Sequence, residues 1–148
     1  MVFKNKKQLE EFLLAKCKNA ITKAQSEIYR IIDRFVKEFY SDYSPEMYER
    51  TYQLYRSLVA SEIVSTGSGF KAEVYFDFSS LNYVTGAQPS GKQVLDAAAY
   101  GGHGAEGLRV VAGSTGVGVW NDSVQIISAE AIEILKGMLI AEGIPIKY

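Results

Sequence analysis

The stretch NKKQLEEFLLAKCKNAITKAQSEIYRIIDRFVKEFY, residues 5–40, decides how the rest of the chain must fold. It contains no Gly and no Pro, and its apolar residues recur at Leu9, Leu13, Cys17, Ala20, Ala24, Ile28, Ile31, Phe35 and Phe39. Steps of four, four and three residues hold these on one side of a helix, because a turn takes about 3.6 residues. Lys6, Lys16, Lys18, Lys23, Arg30, Asp33 and Lys37 are read onto the other side. Asn5 is placed to cap the first turn through its side-chain oxygen, and Gln8 stands at the capping-box position. The reading is one long amphipathic helix, or two nearly in line, with any kink near Ala24, Gln25 and Ser26, where the stripe is weakest. Unbroken, such a helix spans on the order of 50 Å at about 1.5 Å per residue. That exceeds what a small domain needs across its core, so part of it is expected to pack on another element or another subunit.

The remainder must supply a sheet to cover the apolar face. Residues 58–65 and 70–78 read as two strands of a hairpin region covering 58–84, joined by Thr66-Gly67-Ser68-Gly69. The second is the clearest strand of the chain, since Phe70, Ala72, Val74, Phe76 and Phe78 alternate with Lys71, Glu73, Tyr75 and Asp77. Strict alternation means one buried and one wet face, as in an antiparallel hairpin covered by helices on one side. Between helix and hairpin lies a Tyr-rich segment with Tyr40, Tyr43, Tyr48, Tyr52 and Tyr55, in which Ser44 and Pro45 suit the start of a short helix. Most of these tyrosines are expected to pack against the long helix as a half-buried collar, although Tyr is also a common interface anchor.

Residues 86–118 carry nine of the thirteen glycines and read as a Gly-rich loop region with one short helical run, ending at Gly101-Gly102. Val117-Gly118-Val119-Trp120 reads as an extended piece and Asn121-Asp122-Ser123 as a turn. A last helix is expected over 129–142, capped by Ser128, with an Ile127–Ile132 staple and an apolar face of Ile132, Leu135, Met138 and Leu139. Gly143 is expected to end it and Pro145 to prevent its resumption. The fold class is therefore α+β: a long N-terminal helix and a C-terminal helix packed on a small antiparallel sheet, in a single domain of 148 residues.

Composition narrows the function classes. With 47% hydrophobic residues the chain has enough apolar material for a true core, yet no apolar run approaches the roughly 20 residues that cross a bilayer. The start, Met-Val-Phe-Lys-Asn-Lys-Lys, lacks the apolar segment and cleavage site of a signal peptide, so a cytoplasmic protein is expected. Cys17 is the single cysteine and reads as a small core residue. Residues 1–40 hold nine Lys or Arg against five Asp or Glu, while the remainder holds seven against twelve. A basic helix raises the question of nucleic acid, but acidic residues at Glu10, Glu11, Glu27, Asp33 and Glu38 interrupt the run, which reads as a solvated face. A subunit with one basic and one acidic surface can also bind copies of itself head to tail, the arrangement that closes rings.

The segment Gly101-Gly102-His103-Gly104-Ala105-Glu106-Gly107 is the one place that looks like a catalytic loop. Its glycines follow a helix rather than lying between a strand and a helix, and there is no Gly-Lys-Ser/Thr, so nucleotide binding is not expected. His103 is the only histidine and has no Cys cluster to complete a metal site. A His103–Glu106 acid–base pair is one conceivable arrangement, but a histidine bonding to backbone or a partner is the simpler reading, and Glu62, Glu73 and Asp77 read as the solvated face of the hairpin. Ser65, Ser68 and Ser114 lie in turns without the strand-to-helix elbow of a serine hydrolase. The chain is expected not to be an enzyme and to need no cofactor or metal.

The order of these features carries a resemblance. A long N-terminal helix is followed by Tyr48-Glu49-Arg50-Thr51-Tyr52-Gln53-Leu54, a hairpin, Gly101-Gly102-His103-Gly104, Val119-Trp120 and a last helix running into Gly143-Ile144-Pro145-Ile146. This resembles the small phage and prophage proteins that complete the tail or join it to the head in long-tailed phages of Gram-positive hosts. The resemblance implies a virion structural protein, an α+β subunit of a hexameric ring at the head–tail junction or at the top of the tail. It implies as partners the chain itself and neighbouring virion proteins, near packaged DNA but without specific contact to it. It further implies a place in the host cytoplasm during assembly and then in the virion. Interface candidates are Tyr48, Arg50, Tyr52, His103, Glu106 and Trp120, with Arg50 suited to a salt link between subunits. A phage-encoded inhibitor that binds a host defence complex is the alternative, since an acidic C-terminal portion can in principle imitate nucleic acid.

Overall fold

In the computed structural model, residues 2–42, 52–81 and 119–146 are described. The fold is α+β, as expected: a long N-terminal helix, a C-terminal helix and a small antiparallel sheet. Helix α1 runs unbroken over Lys6–Asp42. Its start follows from the capping residues, because the Asn5 side chain accepts from the Gln8 backbone N–H at 2.9 Å and Gln8 Oε1 accepts from the Lys4 N–H at 3.0 Å. A four-residue helix α2, Gln53–Arg56, leads into the hairpin.

The hairpin is two ladders rather than one. Strand β1 (Leu58–Ala60) pairs antiparallel with β4 (Val74–Phe76), and β2 (Val64–Thr66) pairs antiparallel with β3 (Gly69–Lys71). Ala60 lies opposite Val74 and Val64 opposite Lys71, so the three residues 61–63 face only two, 72 and 73. That is a bulge, which bends and twists the ribbon. It explains why the strands read as continuous at 58–65 and 70–78 are each divided. Alternation nevertheless holds along the second half of the hairpin, where Phe76 is buried and Lys71, Glu73 and Tyr75 are exposed. A single turn of 3-10 helix, Phe78–Ser80, follows, anchored by Asp77, whose carboxylate accepts from the Ser79 N–H at 2.9 Å.

The C-terminal helix, here α3, runs over Val119–Ala141. The extended piece at 117–120 and the turn at 121–123 are thereby corrected for the described residues, because Val119 to Ser123 are helical. Asn, Asp and Ser disfavour helix interiors only weakly, so ten residues read as non-helical continue the helix backwards. Ser128 then sits inside the helix rather than at its cap. The other end follows the sequence closely: Ile144 N–H donates to the Leu139 carbonyl at 3.0 Å and Gly143 N–H to the Ile140 carbonyl at 2.8 Å, the paired bonds of a Schellman motif. Gly143 has φ +82°, the left-handed conformation that the motif requires.

Helices α1 and α3 are antiparallel. Glu142, just past the end of α3, meets Lys16 and Lys23 of α1, whereas Ile127 packs on the cluster that includes Ile28, Ile32 and Val36. That cluster, completed by Leu54, Leu58, Phe76 and Leu81, lies where the C-terminal half of α1 meets the base of the hairpin. On the way, the buried Gln25 of α1 reaches the bulge, donating from its side-chain nitrogen to the carbonyl oxygens of Ser61 and Glu73, both at 2.9 Å. What the sequence leads one to expect of residues 43–51 and 82–118, including the short helix after Pro45 and the Gly-rich loop, lies outside the described residues.

Candidate functional site

Of the residues singled out from the sequence, Tyr48, Arg50, His103 and Glu106 lie outside the described residues. Trp120 stands in the first turn of α3, and its side chain is likewise outside the description. Tyr52 is described: it is partly exposed, its ring lies 5.1 Å from that of Tyr40, and its backbone is left-handed at φ 54°. A non-glycine residue in this region carries strain of about 1 kcal/mol or more, held here by the ring contact and by the short helix that follows. Tyr55 extends this collar toward Lys37, whose ammonium lies 5.6 Å from the ring centre. Hydrogen bonds to Asp33 and Tyr55 raise the Lys37 pKa above its ordinary value.

A second feature is built where α3 ends. Lys16, Ala20 and Lys23 share one face of α1, as steps of four and three residues require. Ala20 is fully buried, and the two lysines close on Glu142, Lys16 at 3.1 Å. The bonds from Lys23 and then Lys16 hold the Glu142 carboxyl down to about 2. Reading Lys16 and Lys23 onto the solvated face is thus corrected: they flank the apolar stripe and are long enough to reach round it.

Beyond this latch the same face of α1 continues toward its N-terminus through Leu13 and Leu9. Each is 38% exposed, whereas Ala20 and Ala24, further along the stripe, are 0% and 4% exposed. Leu9 lies seven residues before Lys16, about 10 Å further along the axis. Helix α1 therefore outruns α3 by about two turns, and the stripe read as core is only partly covered there. The extension is held in shape by Phe12, whose ring packs on Phe3 at 5.2 Å and lies under the Lys16 ammonium at 5.7 Å. Leu14, beside it, is also exposed.

Helix α3 presents an apolar line of its own. Ile132 and Ile140 are 64% and 55% exposed, while Ile134, Leu135, Met138 and Leu139 are half-buried. Ile132 was expected on the packed face, but it lies to the side of the stripe that meets α1. The sequence signal for both partly exposed patches was present as apolar residues at helical spacing. It could not show where the covering element stops.

Among the described residues no group of three His, Cys, Asp or Glu is placed to hold a metal ion, and no helix is long and apolar enough to cross a membrane. Comparison with known proteins gives one family: the YomN family model matches residues 5–140. No curated protein and no solved structure matches the chain.

Proposed function

The chain belongs to the YomN family, a name of Bacillus phage or prophage derivation, and is thus phage-related; from this we propose that it is a structural protein of the virion. In this reading it is a non-catalytic ring subunit that joins head to tail or completes the top of the tail, assembled in the host cytoplasm from copies of itself and neighbouring virion proteins. The observation that carries the reading is the length of α1: it continues past the end of α3 with Leu9 and Leu13 partly exposed on the face that is closed around Ala20. A partly exposed apolar face at the end of a long helix adds less to a monomer than a closed one, whereas a subunit of an assembly gains a surface from it. The tyrosine collar supports the same reading, because Tyr40, Tyr52 and Tyr55 combine apolar area with few rotatable bonds.

The test is electron microscopy of particles induced from a host in which this gene alone has been deleted. Filled heads separated from tails, or tails of uncontrolled length, support the reading and identify the junction. Normal virions that fail only in hosts with active defences would replace it with that of an inhibitor.

A further inference from the structure

We draw no further inference here: the strongest candidate, the partly exposed apolar surface at Leu9 and Leu13 of α1 and at Ile132 and Ile140 of α3, carries nothing, because nothing in the structure shows what covers it and the charges at Lys16, Glu133, Lys136 and Glu142 are already paired within the chain.

Discussion

Gln25 and Ser61 are 36 residues apart in the chain and are joined by a 2.9 Å hydrogen bond from the glutamine amide to the serine carbonyl oxygen. The same nitrogen donates to the Glu73 carbonyl across the bulge, and Ser61 and Glu73 bond each other through the Ser61 N–H and the Ser61 hydroxyl. A helix side chain thus supplies the donors that an interrupted ladder lacks. This is the one polar tie by which α1 fixes the hairpin, among the contacts described.

Gln25→Leu, which keeps the bulk and removes both donors, is expected to cost about 1–3 kcal/mol, because the part-buried Ser61 carbonyl loses its amide donor and the Glu73 carbonyl keeps only the Ser61 N–H. Gln25→Glu is expected to cost more, since it sets a carboxylate against two carbonyl oxygens. Urea unfolding followed by circular dichroism measures both. Equal stability of Gln25→Leu and the parent would mean that water replaces the amide without loss.

The latch at Glu142 predicts a pH dependence. Its carboxyl is held at about 2 against an ordinary 4.5, so the unfolded chain takes up a proton before the folded one does. A depressed pKa contributes stability above the unfolded value, and that contribution is lost as pH falls through the folded value. The parent is therefore expected to melt above Glu142→Gln at neutral pH, with the difference closing between about 4.5 and 2. Thermal unfolding across this range gives the answer, and a constant difference would rule out the latch as its source.

Two glycines predict effects of opposite sign. Gly137 lies inside α3 with open space where a Cβ would stand, so Gly137→Ala is expected to stabilise by about 0.5–1 kcal/mol through helix propensity. Gly143 has equally open surroundings but φ +82°, so Gly143→Ala is expected to destabilise by about 1 kcal/mol. Thermal melts of the two variants decide whether backbone conformation, rather than space, sets these costs.

Tyr52 provides a further contrast. Tyr52→Ala loses the Tyr40 ring contact and keeps the left-handed backbone, so it is expected to lose about 1 kcal/mol, whereas Tyr52→Gly relieves the backbone and is expected to recover most of that loss. Denaturant midpoints compare them directly. If the glycine variant is the less stable of the two, the strain is not present in solution.

Much of this fold was legible because periodicity and caps are local. The spacing from Leu9 to Phe35 set α1, Asn5 and Gln8 set its start, and Gly143 set the end of α3. The bulge was not legible, because 61–63 mixes Ser, Glu and Ile without the alternation that makes a register visible. The first ten residues of α3 were missed because Asn121, Asp122 and Ser123 carry turn propensities that tertiary packing overrides. The partly covered stripe was read as core since Leu9 and Leu13 obey the same spacing as Ala20 and Ala24. Only the relative lengths of two helices distinguish them, and that is a tertiary fact. Of the six interface candidates, Tyr52 alone has a described side chain, and it stands in the collar through its contact with Tyr40.

The central claim, that this phage-related chain is part of the particle, is tested most directly by quantitative mass spectrometry of gradient-purified virions carrying the intact gene. The account predicts the chain in the particles at a fixed, low copy number in proportion to a single ring, retained through the gradient. Its absence from fully infectious particles, with the protein left behind in the lysate, would contradict the claim.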